Sequence, residues 1–100
     1  MKLLTKGLQH QLPPLYSQED VEDPIVRAHF FTGGAANWWI TEGQQEEDDY
    51  TMFGLCDMGF GFPELGYVSM NELQSVKGPM GLGIERDLHW TPVHLSEVGT

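Results

Sequence analysis

The sequence predicts a single α+β domain over residues 1–100, with a mainly antiparallel sheet of four or five strands and two short helices. Three observations lead to this fold class. Strand-like segments separated by turn residues follow one another between residues 25 and 68. One helix start precedes them at Thr5, and a second follows at Ser69. A length of 100 residues with 40% apolar content suffices for one modest core.

The first helix is expected over residues 6–11. Thr5 can cap its N-terminus, because a threonine hydroxyl accepts a hydrogen bond from a backbone N–H of the first turn. Leu8 and Leu12 lie four residues apart and therefore share one face of this helix. A pair of prolines then ends the segment.

Strand-forming side chains and period-2 alternation define the sheet. The predicted strands are residues 25–31, 37–42, 50–57 and 65–68. Gly33 and Gly34 mark a hairpin turn between the first two strands. A polar, acidic loop is expected over residues 43–49, and a glycine-rich turn over residues 59–64.

The second helix is predicted from a capping box. The Ser69 hydroxyl can accept from the backbone N–H of Glu72, whose carboxylate can reach back to the N–H of Ser69. This helix should run over residues 70–76 and end at Gly78. A last strand is expected over residues 86–91, followed by a loose or briefly helical tail at residues 95–97.

The charge of the chain excludes some classes of partner. Fifteen acids and five bases give a formal net charge of −10. This field repels nucleic acid and anionic membranes, and it attracts basic protein surfaces. The start of the chain does not read as a signal peptide, and no run of residues is apolar enough to span a membrane. The single cysteine, Cys56, fits a cytoplasmic protein.

Nine of the fifteen acids fall within residues 19–23 and 42–49. Two interpretations stay open: these segments are solvated loops that keep the protein soluble, or they present negative charge to a basic partner. An exposed tryptophan on the second sheet face would add an apolar contact, because neighbouring strand residues face opposite ways. The candidate partner-binding residues are Glu19, Asp20, Glu22, Asp23, Glu46, Glu47, Asp48, Asp49 and Trp39.

A glycine-rich segment followed by charged residues is the second candidate site. Its candidate ligand-binding residues are Gly78, Gly81, Glu85, Arg86, Asp87 and His89. The glycine spacing does not match a Walker A motif or a dinucleotide-binding fingerprint. The segment therefore reads either as a ligand-binding loop or as a structural crossover that returns the chain to the sheet.

Metal and nucleophile candidates are weak. His89 and His94 could join Asp57 or Cys56 around a metal, but this spacing is not typical of zinc sites. Ser69 is explained as a helix cap. Cys56 has no basic neighbour in sequence to activate its thiol. No catalytic residue, metal or cofactor is predicted.

The amino-acid sequence resembles that of a known bacterial family along its whole length. The segments that carry the resemblance are M-K-L-L-T-K at residues 1–6, L-P-P-L-Y-S at 12–17, D-P-I-V at 23–26, F-F-T at 30–32, E-L-G-Y at 64–67 and G-P-M-G-L-G-I-E-R-D-L at 78–88. The family is the one catalogued as domain of unknown function 2958. The chain departs from the usual family pattern at Gly7 and Gly83.

The resemblance implies a small soluble protein of plasmids and other mobile elements, and it implies no catalytic residues. Together with the charge, it leads us to expect a non-enzymatic interaction module, monomeric or weakly dimeric, that binds a protein with a basic surface. A counter-defence inhibitor of a nucleic-acid-binding host protein is the sharpest form of this expectation. The alternative is a small ligand-binding domain or enzyme with its site at residues 78–89.

Overall fold

The computed structural model describes residues 2–33, 36–76 and 83–98. The elements are helices α1 (Lys6–Gln11) and α2 (Met70–Ser75), strands β1 (Ile25–Val26), β2 (Ala28–Phe31), β3 (Asn37–Glu46), β4 (Asp49–Asp57), β5 (Glu64–Ser69), β6 (Glu85–Arg86) and β7 (Val93–His94), and a 3₁₀ helix (Leu95–Glu97). Five strands form an antiparallel sheet in the order β5-β4-β3-β2-β6, and β1 pairs with β7 in a second sheet. The predicted α+β fold class is confirmed.

Both helices pack on one face of the large sheet, which we term the core face. Leu8 and Leu12 of the first helix and Met70 and Leu73 of the second are buried there. The sheet residues that meet them alternate along the strands; they include Ala28, Phe30, Trp38, Ile40, Met52 and Val68. The opposite side of the sheet is termed the outer face.

The predicted hydroxyl caps are present at Thr5 and Ser69, whereas the described residues show no return bond from the Glu72 carboxylate to the Ser69 N–H. The backbone N–H of Leu8 donates to Thr5 Oγ1 at 3.1 Å, and that of Glu72 donates to Ser69 Oγ at 3.2 Å. The Ser69 hydroxyl donates in turn to Asp49, so the start of α2 is tied to the start of β4. This bond is the first cause that holds the pKa of Asp49 below its ordinary value. Helix α2 ends at Ser75; the predicted stop at Gly78 lies outside the described residues.

Strand β3 is longer than predicted, and the expected loop at residues 43–49 is wrong. The strand continues to Glu46 because residues 43–46 pair with β4, and this ladder overrides their low strand propensity. The register shifts between Ile40, which faces Gly54, and Glu42, which faces Phe53. The extra residue, Thr41, forms a β-bulge, so Glu42 falls on the outer face.

Two other strand predictions need correction. The predicted strand at residues 25–31 divides at Arg27, and its two parts join different sheets. The strand predicted at residues 86–91 ends at Arg86, because the chain turns there: the Asp87 carboxylate accepts from the backbone N–H of His89 at 3.0 Å. Of the two readings of the tail at residues 95–97, loose or briefly helical, the structure shows the second, a 3₁₀ helix. The predicted turn at Gly33 and Gly34 lies partly outside the described residues.

The pair Gly54 and Gly66, which face each other across β4 and β5, allows a test of the bulge. A Cβ on Gly54 would lie 2.0 Å from the Trp39 carbonyl oxygen and 2.8 Å from Ile40 Cα, both backbone atoms, whereas a Cβ on Gly66 would meet open space. We expect Gly54→Ala to lower the free energy of unfolding by about 3 kcal/mol or more, and Gly66→Ala to change it by less than about 1 kcal/mol. Urea denaturation measures both, and equal effects would contradict the close approach.

Candidate functional site

An apolar surface is open to solvent on the outer face, beside β4 and β5. Leu65 and Tyr67 of β5 are each 57% exposed, and they face Leu55 and Phe53 of β4. The segment at residues 15–24 crosses this face and adds the exposed side chains Tyr16 and Val21. We term Tyr16, Val21, Leu65 and Tyr67 the outer-face patch. Between the crossing segment and the strands lies a groove of about 240 Å³.

Glu42 holds the crossing segment in place. Its carboxylate accepts from the backbone N–H groups of Tyr16 at 3.0 Å and Gln18 at 2.8 Å, and the residue is only 3% exposed. Tyr16 has a φ of 69°, a left-handed conformation that a tyrosine rarely adopts. The buried carboxylate therefore fixes an otherwise unfavourable backbone path. The same carboxylate lines the groove.

Three aromatic rings form the floor and one wall of the groove. The rings of Phe53 and Tyr67 meet edge to face with centroids 5.0 Å apart, and Tyr16 lies 6.2 Å from Tyr67. The pKa of the Tyr67 phenol is raised, first by desolvation, then by Tyr16 and by the charges of Glu19 and Glu42. The exposed rings thus lie in a negative environment.

The predicted partner-binding acids fall into two groups. Residues that are exposed are Glu19, Asp20, Glu22, Glu46, Glu47 and Asp48. Asp23 and Asp49 instead make bonds within the fold: Asp23 accepts from the Ser96 backbone at 2.9 Å and hydroxyl at 2.7 Å, and Asp49 accepts from Ser69. The Ser96 bonds hold the pKa of Asp23 below its ordinary value.

The loop between β4 and β5 exposes two further rings. Phe60 and Phe62 are 81% and 80% exposed, although burying a phenylalanine stabilises a protein by about 1.5–3 kcal/mol. Gly59 and Gly61 alternate with them and adopt positive φ values of 89° and 83°. The Asp57 carboxylate accepts from the Gly59 N–H at 2.8 Å and fixes the start of the loop. The loop therefore presents both rings to solvent.

Trp39, which is predicted to be exposed, is instead partly buried, because its ring belongs to an aromatic cluster around His29. The His29 ring stacks on Trp39 with centroids 5.6 Å apart, and it also contacts Phe31 and Trp90. Its Nδ1 donates to Asp87 Oδ2 at 3.2 Å, and its Nε2 lies 2.8 Å from Asn37 Oδ1. Both ring nitrogens are therefore engaged, and the histidine is held as a structural element of the outer face.

Sequence reasoning missed this cluster, because His29 and Asp87 lie 58 positions apart in the chain. The His29 bond is also the first cause that holds the pKa of Asp87 below its ordinary value. Of the other predicted ligand residues, Glu85 and His89 are exposed and Arg86 is partly buried, while Gly78 and Gly81 lie outside the described residues. Glu85 lines a cavity of about 490 Å³ together with Leu3, Leu73, Gln74 and Ile84.

Metal ligation and thiol chemistry gain no support. Within residues 2–33, 36–76 and 83–98, no three histidine, cysteine or acidic side chains lie together in a way that could hold a metal ion. His94 lies beside Asp23, and its Nδ1 is 2.8 Å from the Asp23 backbone carbonyl oxygen. Burial raises the pKa of the Cys56 thiol, which lowers its reactivity.

Comparison with known families tests the family resemblance seen in the sequence. The sequence model of the family described as "Protein of unknown function (DUF2958)" matches residues 2–97. The chain belongs to the DUF2958 family. Comparison with curated proteins gave no match, and comparison with solved structures gave none either. In the part of this DUF2958 protein that the structure describes, no helix has the length and apolar character to cross a membrane.

The anchoring role of Glu42 in this DUF2958 protein leads to a stability prediction. We expect Glu42→Ala to lower the free energy of unfolding by about 2–3 kcal/mol, because two backbone N–H groups lose a charged acceptor. Glu42→Gln keeps an acceptor oxygen and should cost less. Glu46→Ala, at the exposed end of the same strand, is the control and should change stability by less than about 0.5 kcal/mol. Urea denaturation checks the order; similar losses for Glu42→Ala and Glu46→Ala would exclude the anchor.

The His29–Asp87 pair leads to a prediction about pH. The folded-state pKa of Asp87 lies below the ordinary value of 3.8, so the ionised carboxylate stabilises the fold above about pH 4 and loses this contribution as the pH falls further. Asp87→Asn should therefore be less stable than the native chain at neutral pH, and the difference should shrink in acid. Asp20→Asn is the exposed control. Thermal unfolding across this range measures the effect, and a difference that grows in acid would contradict it.

Proposed function

We propose that this protein is a non-enzymatic interaction module, and that its outer-face patch and the acids around it bind a basic segment of another protein. The observation that carries the proposal is the coincidence of exposed apolar side chains and one-signed charge on one surface. Exposed apolar groups surrounded by polar ones are typical of protein-binding surfaces, and tyrosine is enriched among the residues that contribute most to binding.

The distribution of charge gives the partner its chemistry. Residues 37–76 contain eight acids and no lysine, arginine or histidine, and residues 15–24 contain four acids and none of these bases. Such a surface accelerates association with a basic partner and disfavours an acidic one. The mobile-element setting that the family resemblance implies makes a nucleic-acid-binding host protein, such as a nuclease, the partner class we favour. The protein would then act as an inhibitor in counter-defence.

A ligand-binding role is the second candidate. The cavity of about 490 Å³ beside Glu85 has the size of a small-molecule site, which is what the alternative at residues 78–89 requires. Its described lining offers Glu85 and Gln74 as polar side chains, and these do not form an acid–base pair. Soaking or thermal-shift screening with small molecules tests it. A compound that stabilises the native chain but not the Glu85→Gln variant would favour this role over protein binding.

Affinity capture from bacterial lysate tests the interaction module. The tagged native protein at physiological salt should enrich one or more basic proteins, and the yield should fall as salt is raised. Tyr67→Ala should weaken capture about tenfold or more, because an interface tyrosine contributes about 2 kcal/mol. Leu88→Ala removes an exposed apolar side chain away from the patch and serves as the control. Enrichment of no basic protein, or equal capture by Tyr67→Ala, would overturn the proposal.

A further inference from the structure

Strand β5 forms one edge of the five-stranded sheet. It pairs along its whole length with β4, through six residue pairs from Thr51–Ser69 to Cys56–Glu64. Among residues 2–33, 36–76 and 83–98, no strand pairs with its other side. The second sheet consists of β1 and β7 and does not extend it. A strand edge of this kind offers backbone N–H and C=O groups to an incoming chain.

This edge carries few of the features that block strand pairing in other proteins. Protected edges usually contain lysine, proline or a bulge, or they are very short. Strand β5 reads E-L-G-Y-V-S over six residues, and its register with β4 is unbroken. Its outer-face side chains, Leu65 and Tyr67, are the most exposed members of the outer-face patch. The edge is therefore suited to strand addition.

Charge selects the occupant. A second copy of this chain would bring its own Glu64 and its acidic β3–β4 hairpin against the first, and like charges disfavour that pairing. A basic segment is attracted instead, because the exposed Glu64 of β5 and the exposed Glu72 of α2 lie on the helix side of the sheet beside this edge. An extended chain with bases at alternate positions and apolar residues between them matches both properties of the surface.

Resting on the proposed function, we infer that the basic partner segment binds as an additional strand along the free edge of β5. Its backbone pairs with β5, and alternate side chains fall on the two faces of the extended sheet. The apolar side chains lie against Leu65 and Tyr67, which continues the cross-strand rows that begin at Leu55 and Phe53. The basic side chains fall on the helix side of the sheet, where Glu64 of β5 and the exposed Glu72 of α2 supply carboxylates.

A synthetic peptide tests this mode of binding on the full chain. The probe is a short capped peptide of alternating lysine and valine, and its matched control carries N-methyl groups on the amides of one edge, which blocks strand pairing without changing charge. Titration followed by amide NMR should show binding of the probe and slowed hydrogen exchange at alternate amides of β5. The N-methylated peptide should bind at least tenfold more weakly.

Variants of the protein supply a second measurement. Leu65→Lys places a base on the exposed edge, as protected natural edges do, and should weaken binding of the lysine–valine peptide at least tenfold. Leu88→Lys makes the same change at an exposed leucine elsewhere and should bind like the native chain. Both sites are exposed, so neither variant threatens the fold.

The outcomes separate the two proposals. Equal binding of both peptides, with no protection of β5 amides, would overturn strand addition and leave the interaction module standing. No binding of the lysine–valine peptide would overturn strand addition as well. The lysate capture would then test separately whether the protein is an interaction module. Binding of a glutamate–valine peptide with equal affinity would overturn the charge argument on which both proposals depend.

Discussion

The β-bulge at Thr41 is the feature on which the arrangement of the outer face depends. Without an extra residue in β3, the carboxylate of Glu42 would point into the helix-covered core with Ile40. The bulge turns it to the other face, where two backbone N–H groups satisfy it. The bulge needs Gly54, because the Trp39 carbonyl occupies the space of a side chain there. One local irregularity thus places the segment that walls the groove.

The outer face is closed at one end and open at the other. One row of paired residues runs across four strands, from His29 through Trp39 and Leu55 to Leu65. At its β2 end, Asp87 and Trp90 contact His29, so the aromatic rings are partly covered. At its β5 end, the crossing segment covers only part of the surface. The closed half packs its rings within the fold, and the open half is where recognition is proposed.

Local patterns in the sequence predicted much of the fold. The caps at Thr5 and Ser69 and the strand over residues 50–57 depend on nearby residues, and the structure confirms them. The end of β3 depends instead on pairing with β4, so the local pattern of its glycine and glutamines predicts a loop. The division of residues 25–31 depends on the distant strand β7. Composition could not reveal either long-range pairing.

The candidate site was also predictable only in part, because its long-range contacts leave no local signal in the sequence. Charge located the acidic segments, but it could not separate buried Glu42 or hydrogen-bonded Asp23 and Asp49 from the solvated acids. The strand alternation placed Trp39 on the outer face correctly. Its partial burial follows from the contact with His29, whose bond to Asp87 joins distant parts of the chain.

The separation of charge along the sheet gives the molecule an electric dipole. At the β2–β6 end, Arg27 and Arg86 offset the charges of Glu85 and Asp87, whereas residues 36–76, which include β3, β4 and β5, carry eight acids and no base. Four strand spacings, about 19 Å, separate β6 from β5. In the field of a basic surface the molecule would rotate before contact, with the β5 edge leading and the arginines trailing. Orientation would thus precede recognition, and fewer encounters would be unproductive.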